Sequence, residues 1–277
     1  MRCMMLVKSD AKTEEGKMPD DAAMAEMGKF NEQMKAAGVL VAGEGLHPSS
    51  KGARVRLGNG KFTVQDGPFA EAKELIAGYW VIQTKSLLEA RDWLARVPAL
   101  GDDQVELRPI YELEDFPVDP AEQAGGWRDQ EAAARDASAL KAPARKPGTK
   151  RFILLLKADA LSEAGAPPKE EVLAKMGELM EEGVRTGTLL GGEGLKPSST
   201  GARLRVKGGK RTTVDGPFTE SKELIAGYVV LQLPSLDEAV EFAKRWLAVH
   251  ALVGVAEGEI EVRELMEFDH LPAVSNR

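Results

Sequence analysis

Asp66-Gly67-Pro68-Phe69, followed by Lys73-Glu74-Leu75-Ile76-Ala77-Gly78-Tyr79, occurs twice in this chain. The second occurrence is Asp215-Gly216-Pro217-Phe218, followed by the same seven residues from Lys222 to Tyr228. Gly43-Glu44-Gly45-Leu46 likewise recurs as Gly192-Glu193-Gly194-Leu195. Each pair stands 149 positions apart (215 − 66), so the halves align without a gap from Arg2 to about Asp92. Glu106 and Arg108 match Glu261 and Arg263 at an offset of 155, which puts six extra residues around the last loop of the second copy. A period this long marks a duplicated domain rather than a solenoid. The boundaries read as 1–116, a linker at 117–150, and 151–277. The linker is rich in Ala, Pro, Gly and charge. Its part from Asp129 to Lys141 reads equally as a short helix or a solvated tether.

Working outward from the repeat, each copy alternates strand and helix. Cys3 to Val7 and Phe152 to Leu156 are short apolar runs suited to central strands. Pro19-Asp20-Asp21 opens a helix whose Met24, Met27, Phe30 and Met34 recur at helical spacing, a core stripe rather than a ligand groove. Leu173, Met176, Leu179 and Met180 repeat the pattern, and Gly38 and Gly187 stop the two helices. A strand at Val39 to Ala42 leads to a hairpin turning at Gly58-Asn59-Gly60. Ile76 to Gln83 is the next strand. Ser86 to Glu89 and Ser235 to Glu238 are capping boxes opening the second helix. The last strand alternates Val105 and Leu107 against Glu106 and Arg108. The expected fold class is α+β: tandem ferredoxin-like domains (β-α-β-hairpin-β-α-β), joined as an intramolecular pseudo-dimeric α+β barrel.

A ferredoxin-like sheet carries helices on one face only, so the other face meets water or another sheet. Alternation assigns Tyr79, Val81, Gln83, Glu106, Arg108 and Ile110 to that bare face, with Tyr228, Val230, Gln232, Glu261, Arg263 and Leu265 as counterparts. Two such faces packed together would enclose a mixed apolar and polar cavity, the usual composition of a small-molecule site. The alternatives are sheet faces paired with another chain, or Glu106 and Arg108 as surface ion pairs.

The Asp-Gly-Pro-Phe motif has a local explanation, in which Asp organises a turn, Gly and Pro set the backbone and Phe anchors the loop. In the chemical reading, Asp66 and Asp215 stand at the cavity mouth and act as general bases or hydrogen-bond a ligand. The Gly43 to Ser50 loop lacks the Gly-Lys-Ser/Thr of a phosphate loop, leaving Glu44 and Glu193 either solvated or facing the pocket. The histidines, His47, His250 and His270, form no spaced pair, and Cys3 lies in a strand. This reading gives no zinc, no Cys–His catalysis and no cofactor. His47 is Lys196 in the second copy, so it is either a solvated loop residue or a point where one active copy diverged.

These residues resemble the YCII-related family, in the branch once called the DGPF domain, over both copies. The resemblance implies a dimeric α+β barrel of ferredoxin-like units. It also implies an enzymatic role suspected from a histidine and an aspartate in many members, with some relatives acting on chlorinated aromatic compounds. DGPF-type members occur fused to or beside sigma factors, which implies a part in transcription initiation. Neither first helix here, 20–37 or 169–186, contains a histidine; only Asp66 and Asp215 match the family motif itself.

Composition sets the outer bounds. With 43% hydrophobic residues in 277, each copy can bury a core. The balance of 37 basic against 44 acidic side chains, net −7, disfavours direct nucleic-acid binding. One cysteine and no apolar run of about 18 residues suggest a reducing, cytoplasmic setting without a membrane span. Two functions remain. One is a small-molecule enzyme or binder that uses Asp66, Tyr79 and Arg108, or Asp215, Tyr228 and Arg263, with Glu44, Glu193 and His47 nearby. The other is a non-catalytic module with a sigma-factor or other transcription partner. The internal pseudo-dimer leaves the chain able to act as a monomer.

Overall fold

The computed structural model describes residues 1–70, 75–98, 104–115, 146–166, 170–218, 224–252 and 256–266. The first copy runs β1 (Arg2–Lys8), α1 (Ala11–Glu14), α2 (Asp21–Ala36), β2 (Leu40–Gly45), β3 (Gly52–Gly58), β4 (Lys61–Asp66), β5 (Ile76–Gln83), α3 (Leu87–Ala95) and β6 (Gln104–Pro109). The second copy runs β7 (Lys150–Lys157), α4 (Ala160–Glu163), α5 (Glu170–Thr186), β8 (Leu189–Gly194), β9 (Ala202–Lys207), β10 (Lys210–Asp215), β11 (Ile225–Leu233), α6 (Leu236–Ala251) and β12 (Glu257–Glu264).

Local chemistry fixes the ends of these elements. The Asp20 carboxylate accepts from the Ala23 N–H, and Ser86 and Ser235 accept from Glu89 and Glu238, so α2, α3 and α6 begin with a satisfied donor. Gly38 and Gly187 end α2 and α5 at φ of 70° and 64°, where a side chain is disfavoured. Asn59 and Gly60, both at positive φ, close the β3–β4 hairpin in two residues.

The strands form two antiparallel six-stranded sheets, ordered β10-β9-β6-β1-β5-β2 and β4-β3-β12-β7-β11-β8. Each sheet takes four strands from one copy in ferredoxin-like order and its outer hairpin from the other copy. Thus β3 pairs with β12, Ala53 against Val262 and Val55 against Ile260, while β9 pairs with β6, Leu204 against Val105. The two copies therefore exchange hairpins. The element order of one copy does not say which sheet its hairpin joins; the pairing places each hairpin in the other copy's sheet. The exchange also binds the halves together through backbone ladders.

Helices cover the outer face of each sheet. Ala53, Val55 and Leu57 of the first copy pack with Phe152, Leu154, Trp246 and other second-copy residues in one helix–sheet core. Ala202, Leu204 and Val206 join Met5, Phe30, Trp80 and Trp93 in the other. Between the sheets lies a third core: Met4, Leu6, Leu46, Ile76, Tyr79, Val81 and Ile110 against Ile153, Leu155, Leu195, Ile225, Tyr228 and Leu265. The sheets are joined at two seams. Met266 donates to the Gly45 carbonyl at 2.8 Å and His47 to Glu264 at 2.9 Å; Tyr111 donates to Gly194 at 2.9 Å and Lys196 to Pro109 at 2.8 Å. The result is an intramolecular dimeric α+β barrel.

The six extra residues of the second copy do not enlarge a loop. Instead, α6 has 16 residues where its counterpart α3 has 9. The helical reading of Asp129 to Lys141 lies outside the described residues. The Lys146 N–H donates to Gln232 Oε1 at 3.2 Å. Among the described residues no helix is long and apolar enough to cross a membrane.

Candidate functional site

Alternation along β6 turns Glu106 and Arg108 inward, beside Leu6 and Met4 of the inter-sheet core. Glu106 is 1% exposed and Arg108 fully buried. A lone carboxylate there would be strongly disfavoured, and the fold surrounds it with cations. Arg108 Nη1 donates to Glu106 Oε1 at 3.0 Å, and Arg203 Nε, arriving on the exchanged strand β9, donates to Oε2 at 2.9 Å. Arg108 also reaches Glu163 of α4 at 3.1 Å and the Lys196 carbonyl at 2.9 Å.

The second copy repeats the arrangement. Arg263 meets Glu261 at 2.9 Å, Arg54 meets it at 3.1 Å from the exchanged strand β3, and Glu14 of α1 lies 3.4 Å from Arg263. Burial would raise both buried carboxyls. Lys8, Arg108 and Arg203 outweigh it at Glu106, and Lys157, Arg263 and Arg54 at Glu261, so both lie below the ordinary carboxylate range.

The repeated Asp-Gly-Pro-Phe turn supports this network. The Phe69 N–H donates to Ser49 Oγ at 3.0 Å, and the Phe69 ring lies 4.2 Å from the Arg54 guanidinium. Phe218 does the same with Ser198 at 3.3 Å and Arg203 at 4.0 Å. A Cβ at Gly67 would stand 1.8 Å from the Ser49 carbonyl oxygen, and one at Gly216 the same distance from Ser198, so only glycine allows the two backbones to meet. Both serines are tied to the short helices, Ser49 N–H to Glu14 at 2.8 Å and Ser198 N–H to Glu163 at 3.1 Å.

The aspartates of the motif go elsewhere. Asp66 pairs with Ala53 and Asp215 with Ala202, and both alanines face the helix-side cores, so the aspartates point away from the inter-sheet face. Both are exposed, and Asp215 pairs with Arg91 of α3 at 2.8 Å. The exchange also moves Asp66 into the sheet of Tyr228 and Arg263. The structure therefore does not bring Asp66, Tyr79 and Arg108 together, nor Asp215, Tyr228 and Arg263.

Tyr79 and Tyr228 do meet. Their ring centroids are 5.9 Å apart across the inter-sheet layer, and the two residues are 5% and 7% exposed. Burial raises the Tyr79 phenol, the Glu44 charge pushes it further and Arg151 opposes, so it stays a neutral hydroxyl at neutral pH. Glu44 and Glu193 sit opposite these tyrosines in the sheets and cross-link the copies. Arg151 holds Glu44 at 2.5 and 3.2 Å, while Arg2 holds Glu193 at 2.5 Å and Glu112 at 2.7 Å.

His47 contributes mainly through its carbonyl, which accepts from Arg263 Nε at 3.2 Å as Lys196 accepts from Arg108. A backbone acceptor explains why the two copies carry different side chains there. Burial pushes the Cys3 thiol up to about 11, unsuited to nucleophilic work. The inter-sheet layer is thus an apolar core flanked by charges, where the pattern led to the expectation of an enclosed mixed cavity.

Arg203, Glu14, Glu163, Ser49 and Ser198 are absent from the sequence-based site. Their signal was available: Arg54 and Arg203, Glu14 and Glu163, Ser49 and Ser198 all recur at the same 149-residue spacing. Asp10 and Asp159 cap the short helices that carry the glutamates.

A chlorite dismutase from Candidatus Nitrospira defluvii, in complex with imidazole, aligns over 97% of this chain and 91% of its own at 10% identity and a TM-score of 0.36. A mutant of that enzyme in complex with cyanide gives 0.37 at the same identity and coverage. An uncharacterized protein of Rhizobium meliloti (strain 1021) is 35% identical over 75 residues, or 27% of this chain. The match spans 60% of that relative's length. The YCII-related domain matches twice, at residues 1–114 and 151–269. Carrying that domain in both copies, the chain belongs to the YCII-related family.

Proposed function

We propose that this protein binds a small organic carboxylate at the margin of the inter-sheet layer, on the partly exposed Arg151 and Arg2 guanidiniums beside Tyr79 and Tyr228. The observation that carries this reading is the pair of inter-copy ion pairs, Glu44–Arg151 and Arg2–Glu193, set beside two facing phenols in an otherwise apolar layer. Apolar side chains alone would close such a layer more cheaply than half-buried charges. A ligand carboxylate exchanges for the Glu44 or Glu193 carboxylate on the Arg151 or Arg2 guanidinium, and the adjacent tyrosine contacts its apolar body. Asp66 and Asp215 face away from the layer, so the reading is binding, without proton transfer by these aspartates.

The test is equilibrium dialysis of the full chain against a panel of small aromatic and aliphatic carboxylates, with native mass spectrometry for any molecule retained in purification. At least one acid should saturate the wild type. Arg151→Met and Arg2→Met should each weaken it by about tenfold or more, the value of a charge-assisted hydrogen bond. No binding across the panel, together with a bare-chain mass, overturns the proposal.

A further inference from the structure

The exchanged hairpins are related by the internal repeat, yet their outer edges differ. Among the described residues β4 and β10 are the terminal strands of their sheets, each paired on one side only. In β10, Arg211 reaches across to the Ala95 carbonyl at 2.7 Å and Asp215 pairs with Arg91, so its edge carries charges tied to α3. This is a common protection of sheet edges. The positions of β4 equivalent to Arg211 and Thr213 are Phe62 and Val64, which are 39% and 44% exposed.

The register makes this edge suited to pairing. The two-residue turn makes Gly58–Lys61 the closing hydrogen-bonded pair, so Lys61, Thr63 and Gln65 bond to β3. The N–H and C=O groups of Phe62, Val64 and Asp66 are directed outward. Two copies of β4 can meet antiparallel about a two-fold axis normal to the sheet through Thr63. Phe62 then lies opposite Val64 of the second copy, twice over, Thr63 opposite Thr63, and Lys61 opposite Gln65. The outward groups form about four backbone hydrogen bonds between the Phe62 and Val64 pairs. The Lys61 end of each strand comes against the Asp66 end of the other, so no like charges face each other.

We propose that β4 is a homodimerisation edge, through which two chains join their β4-containing sheets into one continuous sheet. The self-complementary register is what selects a second copy as the occupant. The proposal is independent of any ligand at the margin of the inter-sheet layer.

Sedimentation velocity across the micromolar range tests it. Wild-type protein should show a concentration-dependent monomer–dimer equilibrium. Val64→Pro removes an outward N–H without touching the β3 ladder, and should weaken the dimer by about tenfold or more. Thr213→Pro, the matching change on β10, should leave the dimer intact. If Val64→Pro disturbs the fold by circular dichroism, the double change Phe62→Lys with Val64→Lys gives the same readout by charge repulsion. A wild type that stays monomeric throughout, or a dimer indifferent to the β4 variants, overturns the proposal.

Discussion

Glu106→Gln should destabilise the protein by about 3–5 kcal/mol, the usual loss when one partner is removed from a buried charge network. The substitution keeps the shape of the side chain and removes its charge. Arg108 and Arg203, 0% and 1% exposed, then lose the anion that both contact. Glu261→Gln should act alike through Arg263 and Arg54. Urea unfolding at neutral pH measures both effects, and a loss below about 1 kcal/mol would show the network to be unimportant.

The same groups set the acid response. Their folded-state values lie below the ordinary 4.5, so their stabilisation is fully present above that pH and is lost as pH falls through the lower folded values. Wild-type stability should drop steeply below about pH 4.5. The Glu106→Gln variant, already without one of these carboxylates, should show a shallower fall.

Separated from its twin, residues 149–277 should form a homodimer and no stable monomer. Alone, this copy would carry the β9–β10 hairpin without β6 to pair with, and β12 would become a sheet edge bearing the buried Glu261. A second copy repairs both defects, because β9 finds β12 of its partner and Arg203 finds Glu261 in place of Glu106. Gel filtration with light scattering should give the dimer mass. The melting temperature should rise with protein concentration. A folded monomer at all concentrations would mean that the hairpin can close on its own copy.

The repeat, the ferredoxin-like strand order, the capping serines and the two-residue turns were all legible because each is a local pattern. The hairpin exchange was not, and the reason is symmetry. Arg54 needs a strand offering the Glu-x-Arg pattern, and Glu106–Arg108 and Glu261–Arg263 offer the same one. Period and charge cannot choose between them. The inward face of Tyr79, Glu106 and Arg108 was readable from alternation, but its filling was not. Leu46, Leu195, Ile110 and Leu265 close the layer from β2, β8 and the ends of β6 and β12, which meet only after the barrel closes. The motif aspartates were drawn toward the pocket by their neighbours in sequence. One residue of register past Gln65 places Asp66 on the other face.

Disulfide trapping of the exchanged pairing tests the architecture most directly. Arg56 and Glu259 are register partners across β3 and β12, both on accessible side chains, within the spacing a disulfide spans. The double variant Arg56→Cys with Glu259→Cys should oxidise to a cross-link within one chain, identified by peptide mass mapping. Arg56→Cys with Gln104→Cys, the partners if each hairpin stayed in its own copy, should remain reduced under the same conditions. Cross-linking of the second pair and not the first would contradict the hairpin exchange, and with it the barrel built on it.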